Sequence, residues 1–530
     1  MKGNVLMNVE ASHRASSFVE IMDCTLRDGE QTSGVSFLPH EKLMIARMLL
    51  KEVNVDRLEV ASARVSEGEK DAVDKVCRFA EREGYLDRIE VLGFVDHHQS
   101  IDWIRERGGM VINLLAKGSL KHCTQQLHKT TQQHIDDILE EVDYAEKHGL
   151  KVNLYLEDWS SGMRDSEEYV YQIMDGLKGT GIQRFMLPDT LGHMNPMQCT
   201  DYVRKMVSRY PDKHFDFHSH NDYDLAVSNT LAAVLSGCRG VHVTVNGLGE
   251  RCGNAPMASV QAILNDQLHV RTNINESQLN MISRVVEDHS GIAVAPNQPI
   301  VGENVFTQVA GVHADGDNKD NLYCNELKPE RFGRKRAYAL GKNSGKANIE
   351  KNLEELGMEL TPEQTRMVTQ RITELGDRKE FVTQADLPFI VSDVLKHNTQ
   401  EDCVKLLSYM VSTSYGLKPI ASIKVEINGK DYMGESTGDG QYDAFVKALR
   451  KIYKENLNRT FPRLANYTVS IPPGGHTDAL VQTVITWHEE SGRMIRTQGL
   501  DVDQTESAIK ATFKMLSIVE NEAADRKFPN

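Results

Sequence analysis

From residue 18 onward the chain repeats one pattern eight times. Apolar, β-branched runs fall at Phe18–Thr25, Asp56–Ser62, Arg88–Phe94, Val111–Lys117, Lys151–Glu157, Arg184–Thr190, His214–Asn221 and Gly240–Gly247. Their spacing of roughly 30 residues is that of a strand, a helix and two short loops. Helical patterns lie between them at Glu41–Val53, Gly68–Glu83, Thr131–His148, Ser166–Lys178, Met197–Tyr210 and Ala226–Gly237. Near-continuous apolar strands alternating with helices predict a parallel sheet covered by helices. Eight such units in about 280 residues predict a (β/α)8 TIM barrel. An open doubly wound sheet is the alternative, but its Gly-rich phosphate loop is missing after the first strand.

At 530 residues the chain is too long for one core. The pattern divides it into an N-terminal tail at 1–17, the barrel at 18–295, linker subdomains at 296–404 and a C-terminal α+β domain at 405–530. Past Pro296 the strand–helix period stops, and Gln298–Lys346 is rich in Gly, Asn, Asp and Lys. Loops that long are functional or disordered. Gly341–Lys346 has the outline of a phosphate loop, but it is one residue short and Ala347 replaces the required Ser or Thr. Helical patterns follow at Lys346–Gly357, Thr361–Gly376 and Leu387–His397. In the last region Ile420–Ile427 and Tyr432–Glu435 flank Asn428-Gly429, a hairpin signal. A helix at Tyr442–Lys454, strands at Asn466–Ile471, Ala479–His488 and Met494–Gly499, and a helix at Gln504–Glu520 complete a loose two-fold repeat suited to subunit pairing.

A net charge of −15 argues against nucleic acid or an anionic membrane as partner. The eight cysteines form no Cys-x-x-Cys pair, which fits reduced thiols in a cytoplasmic protein. No apolar run reaches the ~18 residues of a membrane span, and the first 17 residues lack the apolar core of a signal peptide.

Barrel chemistry sits at the C-terminal ends of the strands. Here those ends carry Arg27 and Asp28, Glu59, Lys117, Tyr155 with Glu157 and Asp158, Asp189 with Thr190, His218 with His220, and Glu250, Arg251 and Asn254. His218 and His220 are two apart on a strand, so both face the same way. With Asp28 they make a two-His-one-carboxylate ligand set, to which Asn254 can add an amide oxygen. Mn²⁺, Mg²⁺ and Zn²⁺ all remain open as the metal. Arg27 is a fixed positive fork for a carboxylate or a developing oxyanion. Glu157 sits on a strand with the apolar Leu154 and Leu156, a setting that can raise a carboxyl toward acid–base use, or it is a structural acid paired to a cation. Thr190 can hold one carboxylate oxygen. No structural pattern explains His313 or Tyr323.

Thr25–Gln31 (Thr-Leu-Arg-Asp-Gly-Glu-Gln), His218–Asp222, Asn246–Arg251, Gly253-Asn254, Gly311–Gly316 and Ile471–Gly475 with Thr477-Asp478 together resemble a known family. It comprises the metal-dependent acyl-CoA Claisen-condensing enzymes: isopropylmalate, homocitrate and citramalate synthases. The resemblance spans the chain after residue 18. It is nearest to the citramalate synthases in Asn153–Trp159, His313–Asp317 and Pro329–Arg334.

This resemblance implies that acetyl-CoA adds to a 2-oxo acid gripped by Arg27, Thr190 and a metal on Asp28, His218 and His220. It ties Glu157, His313 and Tyr323 to acetyl-CoA activation. It places the oxo acid's side chain among Leu92, Leu115 and Tyr155. Three large side chains leave room for little more than a methyl, which favours pyruvate and (R)-citramalate, for isoleucine synthesis. The alternatives are 2-oxoisovalerate and 2-isopropylmalate, for leucine, and then homocitrate, for whose second carboxylate only His97 and His98 are at hand. It also implies a homodimer and a branched-chain amino-acid effector near Tyr442, Asp443, Leu464, Tyr467, Ile471, Val481 and Gln504. A lyase running the reverse cleavage and a non-enzymatic amino-acid sensor are the rival readings. The linker motifs speak against the first and the intact polar set against the second.

Overall fold

The computed structural model describes residues 18–317, 319, 322–377, 382, 384–395, 403–470, 481–489 and 493–525. The expected barrel is present. Strands β1 (Glu20–Asp23), β2 (Arg57–Ser62), β3 (Ile89–Phe94), β4 (Val111–Lys117), β5 (Lys151–Glu157), β6 (Arg184–Asp189), β7 (Phe215–Ser219) and β8 (Gly240–Val243) pair in sequence order. Every pair is parallel, and Glu20–Asp23 against Gly240–Val243 closes the ring. Period-two alternation splits each strand. Leu58 and Val60, Ile89 and Val91, Ile112 and Leu114, Val152 and Leu154, and Phe215 and Phe217 belong to the main core.

The other face of the strands lines the bore, and it is not the layered aliphatic filling usual in such barrels. Arg57, Glu59, Glu90, Asn113, Asn153, Asp216, His218 and His242 are all buried. They survive there because they are paired. Arg57 ion-pairs with Asp216 and Glu90, Arg184 with Glu20, and Arg27 with Glu59. Asn113 donates to Glu59 Oε1 at 2.8 Å and accepts from Asn153 at 2.9 Å. Gly240 is required by the same crowding, since a Cβ there would sit 2.1 Å from Asp216 Oδ1.

The structure adds helices to those read from the sequence at Gln99–Glu106, Leu120–Gln125, Trp159–Asp165, Met257–Leu268 and Leu279–Ser290. The first predicted helix is Pro39–Met48, followed by a π-helical turn at Leu49–Val53. The Gly-Val-His-Ala-Asp-Gly motif, expected within irregular chain, opens a short helix, Gly311–Asp317, on the Ala310 carbonyl. The chain divides into two compact units: residues up to 307 with 324–336, and 308–323 with 337 onward. In the second unit Leu340, Ile349, Leu353, Val368, Ile372 and Leu387 form one apolar cluster.

The C-terminal region holds two antiparallel sheets. They are β9 (Val404–Ser412), β10 (Ile420–Ile427) and β11 (Lys430–Thr437), then β12 (Arg463–Ser470), β13 (Val481–His488) and β14 (Met494–Asp501). Helices Gln441–Glu455 and Gln504–Asp525 follow the sheets, and one core runs through both halves. Asn428 and Gly429 both have positive φ, 51° and 73°, as a tight two-residue hairpin requires. β9 escaped the sequence reading because it is largely exposed, with polar and apolar residues mixed.

Lys42, fully buried on the first helix, clamps the start of the barrel. Its Nζ donates to Leu26 O at 2.9 Å and Val60 O at 3.3 Å, and meets Glu69 and Glu30 at 2.6 Å each. Lys42→Met leaves two carboxylates facing each other without a cation. Breaking a buried ion pair costs about 3–5 kcal/mol. Denaturant unfolding of the variant is expected to show that loss; an unchanged midpoint would rule the clamp out.

Candidate active site and metal centre

β1 empties into the turn that carries Arg27 and Asp28, and β7 delivers His218 and His220 to the same rim. Asp28 Oδ2 lies 3.1 Å from His218 Nε2 and 3.8 Å from His220 Nε2, and the two Nε2 atoms are 3.4 Å apart. Ligands bound at about 2.1 Å around one divalent cation stand roughly 3.0–3.4 Å from one another. The separations from His218 to Asp28 and to His220 are those of a coordination edge, and the Asp28–His220 separation of 3.8 Å is longer. His218 Nδ1, His220 Nδ1 and Asn254 Oδ1 are buried without a hydrogen-bond partner among the described residues. These residues fit a metal. Asn254 differs from expectation, because its Nδ2 faces Asp28 at 3.1 Å while also donating to Leu248 O at 3.0 Å.

The electrostatics agree. Burial alone would raise Asp28, but the Arg27 charge and the hydrogen bond from His218 hold it far below the ordinary carboxylate range. Burial, then the neighbouring His218, lowers His220 to about 4, and burial lowers His242 to about 4. Imidazoles that stay neutral keep a lone pair for a cation.

Arg27 is held on three sides. Its Nε meets Glu59 Oε2 at 2.6 Å, Nη1 meets Asp28 Oδ1 at 3.3 Å, and Nη2 donates to Tyr155 Oη at 3.3 Å. Leu92, Leu115 and Tyr155 come together in one small apolar cluster, joined by Met22, Cys24 and Met186. The sequence reading did not name those last three; they occupy bore positions that alternation along β1 and β6 assigns. Thr190 Oγ1 accepts from the Asp158 amide at 2.9 Å, which leaves its own proton free to donate.

Glu157 does not meet the apolar setting expected of it. Leu154 and Leu156 belong to the main core on the opposite face, and Glu157 ion-pairs with Lys117. Strand register puts those two residues side by side. His98 is held by Glu141 at 3.1 Å and stacks on Tyr144 at 3.9 Å. In the second compact unit the His313 and Tyr323 rings lie 4.3 Å apart. Gly316 makes that contact possible, since a Cβ would sit 2.4 Å from the Tyr323 ring.

Comparison with known proteins matches residues 18–286 to a family described as HMGL-like. Residues 300–380 match a homocitrate synthase post-HMGL domain, and 381–519 a LeuA allosteric (dimerisation) domain. A Methanopyrus kandleri protein provisionally named (R)-citramalate synthase is 36% identical, over 93% of this chain and 95% of its own. The (R)-citramalate synthase of Methanocaldococcus jannaschii is 33% identical over 95% and 100%. The 2-isopropylmalate synthase of the same organism is 34% identical over 93% and 93%. The chain belongs to the HMGL-like family. Within it, the chain is an acyl-CoA condensing synthase of the citramalate and isopropylmalate type.

The LeuA-type domain of this synthase contains a cavity of about 630 Å³ lined by Gln441, Tyr442, Asp443, Leu464, Tyr467 and Gln504, among others. Val481 is not among its lining residues, and Ile471 lies outside the described residues. The cavity wall mixes polar and apolar side chains, with Asp443 and Asp503 both in it.

Stripping the synthase of metal and adding back Mn²⁺ or Zn²⁺ is expected to raise its melting temperature. Asp28→Asn, which keeps the shape and removes the charge, weakens that binding by about 100-fold or more. A variant whose melting curve still responds as wild type would remove Asp28 from the ligand set.

Proposed function

We propose that this synthase condenses acetyl-CoA with pyruvate to form (R)-citramalate. The acetyl methyl loses a proton, the resulting enolate adds to the ketone carbon, and water releases CoA from the thioester. HMGL-like enzymes depend on a divalent cation; held by Asp28, His218 and His220, it would supply positive charge to the oxo acid's carboxylate and ketone oxygens. Arg27, fixed by Glu59 and Tyr155, presents its guanidinium to the same oxygens. Thr190 offers its hydroxyl proton to the carboxylate. Glu157, His313 and Tyr323 serve the acetyl-CoA half of the reaction, by the family resemblance. On that reading His313→Ala lowers kcat by about 100-fold while KM for pyruvate stays within a few-fold; the reverse split would make His313 a binding or packing residue.

The observation that carries pyruvate is the closeness of the apolar cluster. Leu92 and Tyr155 are 5% and 3% exposed, and Met22, Cys24 and Met186 close in behind them. An isopropyl group brings two more carbons than a methyl. Forcing them into a filled pocket costs about 1–3 kcal/mol. The names of the relatives favour neither acid, so 2-isopropylmalate synthesis is the second reading. His98 is already committed to Glu141, which leaves only the exposed His97 as a candidate for homocitrate's second carboxylate. kcat/KM for pyruvate is expected to exceed that for 2-oxoisovalerate by at least about tenfold. A preference for 2-oxoisovalerate overturns the assignment.

The C-terminal cavity is proposed to take the end product, isoleucine or leucine. Asp443 would face the ammonium group, and Leu464 and Tyr467 the side chain. The matched dimerisation domain supports a homodimer, and acetyl-CoA-dependent amino-acid synthesis a cytoplasmic setting. Calorimetry on the full-length enzyme is expected to show one branched-chain amino acid binding, with Asp443→Ala weakening it by about tenfold or more. Unaltered binding would move the effector elsewhere.

A further inference from the structure

The bore contains a histidine that the reaction above does not use. His242, on β8, is 1% exposed. Its Nε2 lies 3.2 Å from Asp216 Oδ2, and its Nδ1 lies 3.2 Å from Tyr155 Oη. Asp216 is ion-paired to Arg57, so its carboxylate can only accept. The proton of a neutral His242 therefore sits on Nε2, and Nδ1 is left as an acceptor. The Tyr155 hydroxyl then donates to His242, its nearer acceptor, and accepts from Arg27 Nη2 at 3.3 Å. The His242 ring also stands edge-on to the Tyr155 ring, with centroids 5.5 Å apart and planes at 80°.

Tyr155 is thus held at its hydroxyl end by a chain that runs Arg57, Asp216, His242. Its ring forms a wall of the cluster with Leu92 and Leu115. A second acceptor is close by: Glu59 Oε2 lies 3.5 Å from the hydroxyl and already takes Arg27 Nε. Without His242 the hydroxyl turns toward Glu59, competes with Arg27 there, and draws the ring out of its place. We propose that His242 is a specificity-determining positioning residue, which sets how large a 2-oxo acid side chain the pocket admits by fixing Tyr155. This rests on the reading that Leu92, Leu115 and Tyr155 face that side chain.

The test is a double-mutant cycle on the full-length enzyme, with kcat/KM measured for pyruvate, 2-oxobutanoate and 2-oxoisovalerate. His242→Leu, close in volume but without either hydrogen bond, should lower the pyruvate-to-oxoisovalerate ratio by about tenfold or more. In a Tyr155→Phe background, which has no hydroxyl to redirect, His242→Leu should change the ratio no further, so the double variant should resemble Tyr155→Phe alone. Should His242→Leu fail to fold, His242→Gln replaces it: its Nε2 stands in for the imidazole Nε2 against Asp216, and it has no polar atom at the Nδ1 position that meets Tyr155. Equal losses for all three acids, or ratio changes that multiply in the double variant, would overturn the proposal. A wild type that prefers 2-oxoisovalerate would overturn the pyruvate assignment alone, because the coupling between His242 and Tyr155 is read from the cycle whichever acid is preferred.

Discussion

Arg57 has almost no access to water, and it sits inside the barrel with a carboxylate on either side, Asp216 and Glu90. An isolated charge in that position would cost many kcal/mol; here each charge is the condition for the next. Arg57 keeps Asp216 ionised, Asp216 fixes the proton on His242, and His242 fixes the hydroxyl of Tyr155. Tyr155 and Glu59 then hold Arg27, and Arg27 keeps Asp28 charged. The rim of the barrel inherits its electrostatics from the bore below it. A greasy bore of the same volume could be as stable or more so, but it would leave Arg27 and Tyr155 without fixed orientations.

Much of this was legible in the residues, and the physical reason differs from one feature to the next. The repeat of apolar runs reveals the barrel because burying both faces of a parallel sheet needs such runs. The alternation of His218 and His220 reveals the candidate metal centre because strand period is local. Glu157 shows the limit. Its neighbours in sequence, Leu154 and Leu156, point the other way, and its real partner, Lys117, is forty residues off and known only once β4 and β5 are in register. The bore charges were hidden for the same reason. Arg57 and Glu90 lie inside the runs Asp56–Ser62 and Arg88–Phe94 with no partner in sight along the sequence, and only ring closure brings them together with Asp216.

The substrate is a different kind of question from the fold. Relatives with two different printed names are almost equally similar to this chain over nearly all of its length. A shared scaffold therefore carries both activities, and the difference has to reside in a few side chains. On the proposed function these are Leu92, Leu115 and Tyr155, which share one apolar cluster. The handling of the C-terminal cavity is separate again, since it is built from the second compact unit's own strands and helices.

The polar bore also bears on how such a chain can change over generations. An aliphatic filling can drift one residue at a time, each step absorbed by its neighbours. Arg57, Glu90 and Asp216 allow no such drift, because losing any one strands a charge on the others. Mutations there would have to arrive in compensating pairs, which is a narrow evolutionary path. Exchanges among Leu92, Leu115 and Met186 break no ion pair and remain accessible one at a time. Lineages descended from such a barrel would then be expected to diversify in the acids they accept while their inner ring of charges stays frozen.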